Sequence, residues 1–385
     1  MNKFRIHIAK RDTMPVAAAW AIRIGAIVLA LLLGSLLTLV LTGKNPLSVL
    51  LTIVQGAFGT ERKIWTTLRD TSVLLMFGLA VAPAFKMRFW NIGAEGQVLM
   101  SGLGTAVVMF FLGGKINDGL LIILMLVAAI VCGMLWAFIP AVIKAKWNTN
   151  ETLSTLMLNY IAAQIVSMFI AWAVPSGSMK MGIINQDTNA GWLPALFGNK
   201  HILIIIMALL ITAFVFVYIK YGKGGYELTV VGESVKTARY VGIKVEWVII
   251  RTMLISGAIC GIIGFLQVAG VEHTISPNTA GGLGFTAVLV AWMAKLNPIV
   301  MIFTSMLIVV MSNGAGDVAS SLGLNASFSD ILTGIILFFL IGCEFFINYK
   351  ICFSAKNDKI SSDVTDSKES ESSGGVEENE GGKQS

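Results

Sequence analysis

The sequence predicts an all-α fold: a polytopic transmembrane helical bundle of about ten spans, some broken or short, with both termini cytoplasmic. Three observations carry this. Apolar residues make up 56% of the chain and charged ones only 13%, too little polar surface for a soluble fold of this length. Apolar runs of 18 or more residues recur, the length a helix needs to cross hydrocarbon. Those runs lack the alternation of barrel strands, and only helices and closed barrels satisfy their backbone groups in lipid.

The elements follow in order. Met1 to Asp12 is basic, and the run from Trp20 to Thr42 is too long for a signal peptide and lacks a small-x-small cleavage site, so it reads as an uncleaved first span. Segment 43–67 reads as an external loop of mixed charge. Spans at 68–85, 91–112, 119–143, 151–174 and 201–219 come next. Asn148-Thr149-Asn150-Glu151 supplies capping-type residues and an acidic first turn for the fifth, and 175–200 reads as a structured external loop. A polar internal loop occupies 220–247. Span seven, 248–270, contains Gly257-x-x-x-Gly261, a pattern that permits close helix contact. The piece at 284–296 is short for a crossing, Asn297-Pro298 separates it from 299–313, and Asp330 is expected to cap a last span at 331–349. This path puts Lys86, Arg88, Lys144, Lys146, Lys220, Lys236, Arg239 and Lys350 on one side, which the positive-inside rule makes cytoplasmic.

Three regions result: a cytoplasmic N-terminus (1–18), a membrane domain (19–350) with its loop at 220–247, and a cytoplasmic tail (351–385) too polar to bury a core and expected to be disordered. The net charge of +6 sits in the short internal loops, so it is a topology signal and implies no nucleic-acid partner. The four cysteines have no zinc-site spacing or disulfide framework, and His7, His201 and His273 are far apart; no metal or cofactor is implied.

Within the membrane domain, Arg88-Phe89-Trp90-Asn91-Ile92-Gly93-Ala94-Glu95-Gly96-Gln97 stands out. Asn91 and Glu95 share a helix face, and Gly93 and Gly96 would admit a neighbouring backbone. A carboxylate in an apolar span needs a partner or water, and marks either a solute path or a polar helix contact. Glu151, Thr155 and Asn159 form a second polar stripe at steps of four, open to the same two readings. In the internal loop, Val235, Ala238 and Val241 approximate an apolar stripe flanked by Lys236 and Arg239, the pattern of a short helix that docks on a cytoplasmic partner or lies on the lipid surface. There is no phosphate-binding loop, nucleophilic or zinc catalytic set, or voltage-sensor repeat, so the chain is not expected to be an enzyme; if ATP drives it, another chain hydrolyses it.

The segment from Phe89 to Gln97 resembles the F-N-I-G-x-E-G-Q signature of permease subunits of bacterial ABC importers for ribose-type sugars, nucleosides and branched-chain amino acids. Asn150 to Tyr160 resembles the N-E-x-x-x-T-x-M-L-N-Y segment of the nucleoside branch, and Val231 to Ile243 is similar to that family's ATPase-coupling segment. Gly282-Leu283-Gly284-Phe285 matches a later G-x-G-F motif. Glu233-Ser234-Val235 departs from the usual polar-Pro start of the coupling segment, and Trp292-Met293-Ala294-Lys295 stands where small residues and a Gly are usual.

The resemblance implies a non-catalytic permease in the bacterial cytoplasmic membrane, carrying nucleosides or, alternatively, simple sugars or branched-chain amino acids. Its partners would be a cytoplasmic ABC ATPase, a second homologous permease, an extracellular solute-binding lipoprotein and the surrounding membrane lipid. Candidate path residues are Asn91, Glu95, Gln97, Glu151, Thr155 and Asn159; candidate coupling residues are Gly232, Glu233, Val235, Ala238, Arg239, Tyr240 and Gly242. An ion-coupled secondary transporter is the rival of a different class, and would work without an ATPase. A membrane scaffold or receptor would transport nothing.

Overall fold

The computed structural model describes residues 5–10, 15–43, 45–174 and 181–354. Among them, nine helices are long and apolar enough to cross a membrane. These are α1 (Val16–Thr42), α3 (Glu61–Lys86), α4 (Ala94–Leu112), α5 (Asp118–Trp147), α6 (Glu151–Ala173), α7 (Ile202–Lys220), α10 (Val245–Leu266, continued by a π-helix Gln267–Glu272), α12 (Pro298–Ser321) and α13 (Ala326–Asn348). Four shorter helices complete the set: α2 (Pro46–Phe58), α8 (Lys223–Glu233), α9 (Val235–Tyr240) and α11 (Leu283–Met293).

Two compact units divide the chain. In the first, residues 1–28 and 339–385, strand β1 (Arg5–Lys10) pairs antiparallel with β2 (Tyr349–Ser354), and Arg23 is ion-paired to Glu344 at 2.6 Å. The expectation of an all-helical chain therefore omits one small sheet. The strands bring residues 5–10 and 349–354 side by side, and α11, at 11 residues, is too short to count among the nine long helices. Residues 355–385 of the expected tail lie outside the described residues, as do 175–180 of the outer loop.

The second unit, residues 29–338, is held by glycine-mediated contacts. Where hydrophobic segregation from lipid contributes nothing, helices adhere through close backbone approach and dispersion. A Cβ on Gly257 of α10 would stand 2.5 Å from the carbonyl oxygen of Gly133 in α5, and one on Gly261 would stand 2.6 Å from the Cα of Ile130. The Gly257/Gly261 pattern thus joins α10 to α5, with Ala129 and Ala137 fully buried alongside.

Several sequence expectations need correction. Segment 43–67 is not a plain loop: Asn45 accepts a hydrogen bond from the Leu47 N–H, Pro46 opens α2, and Val49 and Ile53 bury against Ala315, Val318 and Ala319 of α12. The internal loop 220–247 contains two helices, α8 and α9, and its last residues already belong to α10. Asp330 does not cap α13, which begins at Ala326. In the outer loop, Trp192 stacks on His273 at 3.9 Å, and burial holds the His273 imidazole below its ordinary pKa.

Gly257→Val is expected to lose about 1–3 kcal/mol or more through overpacking and to give little folded protein, whereas Gly334→Val, with open space at that position, should be tolerated. Monodispersity and thermal stability of the two variants in detergent compare them directly; equal behaviour would count against the α5–α10 contact as the brace of the bundle.

Candidate functional site

The helix α3 ends in a turn that a glycine would normally make. Arg88 takes φ +59° there, and the Phe89 N–H closes back on the Ala84 carbonyl at 3.0 Å. The chain then re-enters the bundle without helical structure from Met87 to Gly93 before α4 begins at Ala94. Third-span residues 91–93 are therefore not part of a helix. Non-helical backbone survives at membrane depth only where protein groups satisfy it.

Asparagines do this. Asn91 is fully buried; its amide donates to Ser256 Oγ at 3.0 Å, while its oxygen accepts from the Gly93 N–H at 3.0 Å and the Gln97 amide at 3.3 Å. Asn159 of α6 donates to the Ile92 carbonyl and accepts from the Gly96 N–H, both at 2.9 Å. A Cβ on Gly96 would stand 2.9 Å from the Asn159 Cα, and one on Gly93 would stand 3.0 Å from the Thr155 Cβ. The small residues let α6 approach closely enough for the amide to bridge. Ser256 lies roughly 16 Å along α10 from its start at 1.5 Å per residue, about half of the ~30 Å that a hydrocarbon core requires.

The neighbouring Glu95 meets a second broken element. The chain turns at Gly281 (φ +62°) and Gly282 (φ +72°), a left-handed pair that side chains disfavour, and α11 starts at once. Its cap position has no side chain. Glu95 supplies the cap from another helix, its two oxygens accepting from the Gly282 N–H at 2.8 Å and the Gly284 N–H at 2.9 Å. Gly284 is required because a Cβ there would stand 2.7 Å from the Glu95 nitrogen. A carboxylate on the positive end of a half-helix is the favourable sign of charge.

Below this latch lies a cleft of about 310 Å³ lined by Met87, Arg88, Lys144, Glu151, Glu233 and Val235. Glu151, the first residue of α6, pairs with Lys144 near the end of α5 at 2.8 Å, so it stands at the helix ends rather than in mid-span. Helix α8 abuts α3 so closely that a Cβ on Gly232 would stand 2.3 Å from the Lys86 carbonyl. In α9, Ser234 caps the Thr237 N–H, Ala238 is buried among Met87, Phe89 and Leu228, and Gly242 (φ +82°) ends the helix with the Ile243 N–H on the Ala238 carbonyl at 2.9 Å. The expected stripe of Val235, Ala238 and Val241 is split: only Ala238 is buried, while Val235, Val241 and the 93%-exposed Tyr240 face outward. Arg239 pairs with Glu246 at 2.9 Å on the exposed side.

The structure thus gathers Asn91, Glu95, Gln97, Thr155 and Asn159 into one buried polar cluster, with Glu151, Gly232, Glu233 and Val235 around the cleft beneath it. A further cavity, of about 380 Å³, was not foreseen. It lies where α3, the π-helix, α11, α12 and α13 converge, and Arg69, Asp70, Gln267, Glu272, Ser312 and Asn313 give it polar walls. Arg69 donates to Asp70 at 2.8 Å, and Asn313 reaches Asp70 and Thr67 at 3.3 Å each. Two cues were available, Arg69-Asp70 and Ser312-Asn313 beside apolar runs, but nothing in the order of residues brings those two helices together.

The family described as branched-chain amino acid transport system / permease component matches residues 63–341. The chain is similar to the guanosine ABC transporter permease protein NupP of Bacillus subtilis (31% identical, 82% of this chain and 91% of the relative). It is also similar to the nucleoside ABC transporter permease protein NupB of Lactococcus lactis subsp. cremoris (29%; 82% and 88%). The glucose ABC transporter permease protein TsgB13 of Haloferax volcanii is 26% identical over 94% of this chain and 97% of its own.

Glu95→Gln leaves one acceptor for two N–H groups, and Gly284→Ala displaces the carboxylate. Each is expected to cost on the order of 1.5–3 kcal/mol, the range for a hydrogen bond to a charged group. The double variant should cost little more than the worse single one. Thermal unfolding of the three proteins in detergent measures this; additive losses would mean that the two groups do not share one interaction.

Proposed function

This chain belongs to the branched-chain amino acid transport system permease component family, and on that premise we propose that it carries nucleosides through an ABC importer. It is a permease subunit of such an importer: a polytopic membrane protein that forms a transmembrane path and catalyses no reaction itself. The observation that favours nucleosides is the agreement of two relatives, of guanosine and nucleoside transporters, at 31% and 29% identity. The Asn150–Tyr160 segment points the same way. Sugar transport is the second reading, favoured by the match to a glucose permease over nearly the whole chain.

The working assembly in this proposal has an ABC ATPase on the cytoplasmic side, a second homologous permease beside this one, and a solute-binding lipoprotein outside. Exposed Val235, Tyr240 and Val241 offer the ATPase an apolar contact, while buried Ala238 ties α9 to the residues below the latch. Movement of α9 would press on Met87 and Phe89, and so on the non-helical segment that carries Asn91 and Glu95. Asn91, Glu95, Gln97, Thr155 and Asn159 are proposed as the part of the path wall that changes with that movement, and Glu151 as its cytoplasmic edge. A ligand-driven change of this kind requires only that ATP binding favour one arrangement of α9 over the other.

Reconstitution with its ATPase, companion permease and binding protein should give ATP-dependent uptake of guanosine, with D-glucose and L-valine as competitors. Competition by glucose alone would move the chain to the sugar branch. Uptake by this chain alone, driven by an ion gradient, would overturn the importer reading. Tyr240→Ala and Gly242→Val are expected to reduce uptake at least tenfold while leaving membrane insertion unchanged, because one removes the outward contact and the other strains the turn that ends α9. Full transport by both variants would place the ATPase elsewhere.

A further inference from the structure

We infer that the outer cavity is a binding subsite for a neutral, hydroxyl-rich ring, a free pentose or the ribosyl part of a larger solute. The inference rests on reading the chain as a permease, and it assigns solute recognition to a pocket within one subunit.

A largely buried polar side chain in the wall is the first argument. Gln267 is only 8% exposed and lines the cavity, so its amide offers both a donor and an acceptor to whatever enters. The π-helix is the second. Its i→i+5 pattern brings Gln267 and Glu272 to the same cavity wall, and such turns occur frequently at functional sites. Thr279 donates to Glu272 at 3.0 Å, which orients that carboxylate.

The lining also selects the class of ligand. Among the described residues of the wall Arg69 is the one cation, Asp70 already engages it, and Glu272 and Asp330 add negative charge, so a carboxylate or phosphate would meet repulsion there. This disfavours amino acids and nucleotides. No aromatic ring lines the cavity, so a nucleobase has no stacking platform. What remains suits a sugar: acceptors on Glu272 and Asp70, hydroxyls on Ser312 and Thr333, and aliphatic Val73 and Leu337 for the C–H faces of a ring. The volume, about 380 Å³, lies at the small end of ligand sites. Gly281 and Leu283 form part of the same wall, so an occupant touches the turn whose N–H groups hold Glu95.

The test uses Ser312→Cys and Thr333→Cys, on two different helices, in the full-length chain within sealed right-side-out membrane vesicles. A membrane-impermeant methanethiosulfonate reagent is added outside, and the unsubstituted chain gives the background from its own cysteines. Labelling should be slowed at least threefold by millimolar D-ribose or uridine and not by L-valine. Absence of labelling at both positions, or labelling that neither ribose nor uridine slows, overturns the subsite. Protection by valine alone overturns the ligand class. Uptake by the assembled wild-type importer is measured in parallel: its absence would sink the permease reading, whereas normal uptake with unprotected cysteines would sink only the subsite.

Discussion

A half-helix that begins within a membrane domain leaves its first N–H groups without intrahelical partners, and leaving such groups unmet in apolar surroundings is costly. In this protein Glu95 removes that cost for α11 by taking the N–H groups of Gly282 and Gly284 together. The cap comes from α4 rather than from the neighbouring chain, so two broken elements far apart in sequence become one unit. Asn91 and Asn159 extend the arrangement by satisfying the non-helical backbone that places Glu95 there. The same groups can brace the bundle and lie along a path, because a polar cluster in lipid must be satisfied whatever else it does.

The contacts form a continuous physical sequence from the cytoplasm outward. Ala238 of α9 is buried in the same hydrophobic cluster as Met87 and Phe89, the segment from 87 to 93 leads to Glu95, Glu95 holds the turn before α11, and that turn lines the outer cavity. Close glycine contacts between α5 and α10 provide a stiff frame against which such a sequence could shift. Contiguity of this kind carries movement only if the elements have two stable arrangements, which the uptake and labelling experiments address from opposite ends.

Much of this was legible residue by residue. Apolar run length marked nearly every long helix, because a span must satisfy its own backbone over a fixed thickness of hydrocarbon. The Gly257/Gly261 spacing marked a close contact, and Asn91, Glu95 and Asn159 were conspicuous as polar groups where polarity is expensive. Helix α2 escaped notice because it is too short for a crossing and gains its stability from Ala315 and Val318 of α12. The stripe in α9 was misjudged because packing against α8 and α10, not periodicity, decides which of its apolar residues is covered.

By itself, then, the order of residues determined a helical membrane protein, its approximate spans, and which side chains had to find partners. Only the tertiary structure decided who those partners are. A carboxylate in lipid must be met, but Glu95 could have been met by an arginine, a hydroxyl or a helix end, and the choice of Gly282 and Gly284 depends on a chain separation no local pattern encodes. The same holds for the outer cavity: Arg69, Gln267 and Ser312 each look ordinary within their own helix, and become one site because long-range packing brings five elements to a single point.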